Sequence, residues 1–167
     1  LLPAAASDER DVHDQAAILA DTGIDLLLLE MRPSFEATLQ ATRIAVGAGR
    51  PVWTTISLAD APGDPPLVER IAMLDGSGGT AVLLRLGTAG TSGLADVIAA
   101  VGAGPTIPLG LLADTPPLGT SGTDLDAWLD AGAQILGLGS GADPGALRPL
   151  VEARGRRVAA ARERSNL

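Results

Sequence analysis

Residues 133–144 read AQILGLGSGADP, and the fold turns on them. Ile135 to Leu138 is an apolar run that reads as a buried strand. It empties into Gly139-Ser140-Gly141, a turn without bulky side chains. Asp143-Pro144 then has the chemistry of a helix start, with Asp at the N-cap and Pro at the first helical position. Strand, glycine turn and helix start, in that order, mark the place where α/β folds gather their ligands.

Upstream the same phrase recurs. Residues 24–29 form a leucine-rich run that ends at Glu30, after a helical stripe over 11–21 with Val12, Ala16, Ile18 and Leu19 on its apolar side. Pro33-Ser34 opens a helix over 35–47, and Gly49 closes that unit. Residues 51–58 (PVWTTISL), 80–86 (TAVLLRL) and 107–113 (IPLGLLA) are further strand-like runs. Helical segments over 67–74, 93–101 and 124–131 follow them, with Trp128 and Leu129 on the packed face of the last. The runs start at Ile24, Pro51, Thr80, Ile107 and Gln134, with separations of 27, 29, 27 and 27 residues. That spacing is one strand, one helix and two short loops. Strands that are apolar on both faces belong to sheets covered on both sides. Repeated βα units imply a parallel sheet with right-handed crossovers.

Two closures compete, a doubly wound open sheet and part of a (β/α)8 barrel. Eight such units would need roughly 200–250 residues. The 167 residues hold about five, so the expectation is one domain over 1–167: a partial (β/α)8 TIM barrel with a parallel sheet. A last helix is expected from Pro144 into an arginine-rich, solvated tail.

Composition narrows the function. Lys+Arg number 12 against 20 Asp+Glu, a formal charge of −8, which argues against binding nucleic acid or anionic membrane. Aromatic residues are 2%, so the core is aliphatic. Cysteine is absent and histidine occurs once, as His13. No disulfide, thiolate nucleophile, Cys-ligated zinc or multi-His metal site can form within one copy. No apolar run approaches membrane-span length. The opening LLPAAASDER has no basic n-region and makes a poor signal peptide. It also lacks an initiator Met, so a fragment or processed product is expected, with a cytoplasmic location.

In a barrel, chemistry sits at the C-terminal strand ends. Those positions hold Glu30, Ser57, Arg85, Asp114 and the Gly139-Ser140-Gly141 turn. Glu30, closing an apolar strand, suits a substrate ammonium or a base. Arg85 suits an anion, or an ion pair with Glu30. Asp114 is a third charged strand end. Ser57 reads as a hydrogen-bonding strand terminus, and His13 as a surface or structural residue on a helix.

With these residues placed, the chain resembles the C-terminal part of the homocysteine S-methyltransferase family over about 13–150. The matching phrases are His13-Asp14-Gln15, Thr22-Gly23-Ile24-Asp25 through Glu30, Pro33-Ser34-Phe35-Glu36-Ala37 and Pro51-Val52-Trp53. Ala127-Trp128, Gly132-Ala133-Gln134-Ile135-Leu136-Gly137, Gly141 and Pro144 continue them. The resemblance implies a (β/α)8 barrel of which this chain supplies roughly units four to eight. It implies methyl transfer to the thiol of homocysteine, within methionine biosynthesis, and puts Glu30 at the substrate amino group. The family's zinc is held by three cysteines. Their positions fall at Leu84, within about one residue, and at Gly139 and Ser140. The family's asparagine after the seventh strand is replaced by Asp114.

Zinc acts there as a Lewis acid that lowers the thiol pKa. Without it a thiol with pKa near ~8.5 stays mostly protonated. The expectation is a degenerate, pseudoenzyme-like domain without a cofactor and with no assigned catalytic residue. Its substrate-binding candidates are Glu30, Arg85 and Asp114, and its ligand is amino-acid-like. Two alternatives are metal-free chemistry on a small anionic or amino-acid substrate, and an assembly module. In the latter a second copy or a partner chain completes the barrel, because an open parallel edge invites association.

Overall fold

The computed structural model describes residues 9–58, 62–86, 94–102, 106–113 and 122–138, and the isolated positions 145, 148, 151, 152, 155, 156, 158 and 159. In chain order these give α1 (Glu9–Asp21), β1 (Leu27–Leu29), α2 (Phe35–Val46), β2 (Val52–Ser57) and α3 (Leu67–Gly76). Then come β3 (Ala81–Arg85), α4 (Leu94–Gly102), β4 (Leu109–Ala113), α5 (Gly122–Asp130) and β5 (Ile135–Leu138). The helix expected from Pro144 begins outside the described residues.

All five strands are parallel and their order in the sheet is β1-β2-β3-β4-β5. A doubly wound sheet reverses its order at a switch point. This one never does, so every crossover proceeds in the same direction and the sheet curls into a half-barrel. Successive helices also touch: α1 packs on α2, α2 on α3, and α4 on α5. The helices therefore form one outer layer.

The strands show which face each layer takes. Side chains alternate along a strand. Leu27, Leu29 and Val52 pack with Val12 and Ala16 of α1 and Ala41 and Ala45 of α2. Ile56, Val82, Leu84, Leu109 and Leu111 pack with Leu39, Ile71, Leu74, Ile98, Val101 and Trp128. These positions face the helices. The alternate positions face the barrel interior, and the register sets them in rows. One row is Thr55, Leu83, Gly110 and Ile135; the next is Ser57, Arg85, Leu112 and Gly137. A Cβ at Gly110 would run into the Leu83 side chain and lie 2.7 Å from Ile135 Cβ. Glycine there lets the Leu83 side chain fill the row.

Local chemistry sets the boundaries. Ser34 caps α2: its Oγ accepts from Ala37 N at 3.2 Å in an extended N-cap conformation. Gly23 and Gly49 turn the chain at φ +81 and +72, values that favour glycine. Every strand begins later than its sequence run, β1 by three residues, β4 by two and the others by one. β1 starts at Leu27, whose N–H donates to Pro51 O at 2.8 Å, and β4 starts after Pro108. Pro51 and Pro108 carry no N–H, so neither can extend its ladder toward the N-terminus. On α1, Val12 and Ala16 are buried and Leu19 packs against them, but Ile18, expected on the same stripe, is 65% exposed and lies off the buried face.

Candidate functional site

Glu30 follows β1 directly. Continued alternation puts it on the interior face with Leu28, opposite Leu29, which is buried against the helices. Ser57 ends β2 and pairs in register with Arg85, which ends β3. Glu30, Ser57 and Arg85 thus share the interior face near its C-terminal end, and all three are half-buried; Leu29 pairs with Thr54, so Glu30 falls level with Thr55, two residues short of the Ser57–Arg85 row. Glu30 and Arg85 stand two strand spacings across and two residues along from each other, about 12 Å between backbones. Their long side chains can reach toward each other or grip the two ends of a small zwitterion. Thr55, buried beside Glu30 and one row below Ser57, donates its hydroxyl to Leu29 O at 3.1 Å and ties β2 to β1.

Of the other expected positions, Asp114, Gly139, Ser140 and Gly141 lie outside the described residues. Leu84 is 0% exposed and packs among the helices; the interior-facing residues beside it are Leu83 and Arg85. A zinc held by three thiolates does not fit this chain, which has no cysteine and presents Leu84 away from the interior. Among the described residues no cluster of three or more His, Asp or Glu side chains forms. His13 sits exposed on α1, 3.3 Å from the Asp14 carboxylate.

A second feature was not legible as a site in the sequence. Behind the rim, between the ends of β1 and β2 and helices α2 and α3, lies a cavity of about 280 Å³. Arg32 and Arg70 line it, 5% and 1% exposed, with Asp64, Ser34, Thr38 and Ile56. Arg70 Nη1 donates to Ser57 O at 3.1 Å and lies 4.0 Å from Asp64 Oδ2. The Arg32 backbone is held too. Its N–H donates to Thr38 Oγ1 at 3.1 Å, and that hydroxyl donates to Ser34 O at 3.0 Å. Burial holds the Arg32 guanidinium below the usual arginine pKa. It remains a cation, because the starting value is so high. One signal for Arg70 did exist: it falls with Leu67, Ile71 and Leu74 at the spacing of a single apolar helix stripe.

No protein-family model matches the chain, and no curated protein matches it. Solved structures do. The apo homocysteine methyltransferase MmuM from Escherichia coli superposes with a TM-score of 0.71 at 18% identity, over 92% of this chain and 61% of that one. A putative lyase/mutase from Burkholderia cenocepacia J2315 gives 0.67 at 21% identity, over 86% and 62%. The carboxyl transferase domain of Rhizobium etli pyruvate carboxylase gives 0.63 at 13% identity, over 85% and 30%. The likeness is one of fold. The chain spans less than two thirds of each of these proteins. Among the described residues, no helix is long and apolar enough to cross a membrane.

Proposed function

We propose that this chain is a homocysteine-methyltransferase-like barrel segment that holds an amino-acid-like ligand at its strand-end rim without zinc. The observation that carries this reading is that Glu30, Ser57 and Arg85 lie on one interior face, in two adjacent rows near the C-terminal strand ends. Glu30 takes the ligand's ammonium, Arg85 its carboxylate, and Ser57 adds a hydroxyl between them. A carboxylate and a guanidinium make strong, charge-assisted hydrogen bonds to such groups. The fold likeness to a homocysteine methyltransferase supports the ligand class. The missing thiolates argue that thiol activation by a metal is lost.

Calorimetric titration with L-methionine and L-homocysteine in zinc-free buffer tests it. Saturable binding is expected, weakened at least tenfold by Glu30→Gln and by Arg85→Gln. Absence of binding, or binding indifferent to Glu30→Gln, would overturn it.

A second reading rests on the sheet edges. β1 and β5 each pair on one side only among the described residues, and β5 is half-buried along its whole length. We propose that a second copy or a partner chain covers these edges. A dimer or larger species in solution is expected, and a stable monodisperse monomer would count against it.

A further inference from the structure

We propose that Thr55 and Thr38 are positioning residues for Glu30: two buried hydroxyls that fix the backbone on either side of it and so aim its carboxylate into the interior. That role rests on Glu30 being the group that takes the ligand's ammonium, as proposed above.

Both threonines are fully buried. Burying a hydroxyl is unfavourable unless it finds a partner, and valine would fill much the same space without that demand. Here both hydroxyls are spent on one short segment of backbone. Thr55 Oγ1 donates to Leu29 O at 3.1 Å, the carbonyl of the peptide that joins Leu29 to Glu30. On the other side, Thr38 Oγ1 accepts from Arg32 N at 3.1 Å, two residues after Glu30, and donates to Ser34 O at 3.0 Å.

The two ties come from different elements, Thr55 from β2 and Thr38 from α2. They fall where the sheet stops holding the chain. Leu29 is the last residue of β1, and the paired register ends at Leu29 and Thr54. Glu30 is therefore one residue past the strand, bracketed by Thr55 before it and Thr38 after it. Thr55 is also its neighbour on the interior face, level with it across the sheet. A carboxylate fixed before the ligand arrives loses less freedom on binding, so the same contacts give a higher affinity.

The test is calorimetric titration of the full chain with L-methionine. Thr55→Val and Thr38→Val should each weaken binding about fivefold, while Thr55→Ser, which keeps the hydroxyl and drops the methyl, stays within about twofold of wild type. Because Thr55 acts through Glu30, Thr55→Val should cause no further loss in the Glu30→Gln background. A threonine that merely stabilises the fold would weaken binding equally in both backgrounds, and Thr55→Ser would not rescue it. That pattern, or unchanged binding in Thr55→Val and Thr38→Val, would overturn the proposal while leaving Glu30 as the ammonium ligand. Should Thr55→Val fail to fold, Thr38→Val in both backgrounds takes its place. If the wild-type protein does not bind L-methionine, the ligand reading fails by itself, and the NMR order parameter of the Glu30 N–H then decides the positioning role. A value lowered in the valine variants and kept in Thr55→Ser supports that role; a value unchanged throughout overturns it.

Discussion

Arg70 Nη1 donates to the carbonyl oxygen of Ser57 across 3.1 Å, from a side chain that is 1% exposed. This bond fastens α3 to the C-terminal end of β2, directly below the rim. A buried arginine is costly to strand and costly to remove, because its partners are buried with it. Arg70→Met should therefore destabilise the fold by roughly 3 kcal/mol, read from urea unfolding. A loss below about 0.5 kcal/mol, the usual range for exposed positions, would mean that the bond holds nothing.

Thr42 and Thr54 make a different kind of tie. Their hydroxyls are 3.0 Å apart with both residues fully buried, and Thr42 Oγ1 lies 2.9 Å from Thr38 O. Thr42 donates to that carbonyl, so Thr54 donates to Thr42. Replacing Thr42 by Val leaves the Thr54 hydroxyl buried without its acceptor, at a cost of about 1–3 kcal/mol. Replacing both should cost less than that single change, because no orphaned hydroxyl remains. A double-mutant cycle by thermal or urea unfolding measures this. Strict additivity would mean that the two hydroxyls are not coupled.

The parts of the fold that sequence makes visible are the periodic ones. The near-constant spacing of apolar runs and the Pro33-Ser34 helix start depend on neighbours along the chain, and the structure keeps both. Ile135 to Leu138 is a strand with the expected bounds, but it is half-buried rather than buried, because β5 pairs on one side only among the described residues. The choice between a barrel and a doubly wound sheet was open in the sequence, because strand order is a long-range property. Glu30, Ser57 and Arg85 were legible as strand ends, but their common face needed the register. Arg32 and Arg70 were not singled out. A charged residue reads as solvated until the groups that bury it are known, and Ser57 lies 13 residues from Arg70.

Gly110 gives a sharp test of the interior packing. Its missing Cβ is the space taken by Leu83 and Ile135. Gly110→Ala should cost about 2 kcal/mol through overpacking. Leu83→Ala should be less harmful in that background than alone, since it removes one of the two clashes and the sites are in contact. Urea unfolding of the two single variants and the double variant measures the coupling. Additive losses would place Leu83 on the other face of the sheet.

The central claim, a methyltransferase-like barrel segment that works without zinc, is tested most directly by metal content. Purified protein is loaded with zinc, dialysed and analysed by mass spectrometry for metal. Less than a tenth of an equivalent of zinc per chain, on the order of background, is expected where no thiolate ligand exists. One zinc per chain would contradict the claim, and would mean that Asp, Glu and His side chains supply what cysteines supply in the family.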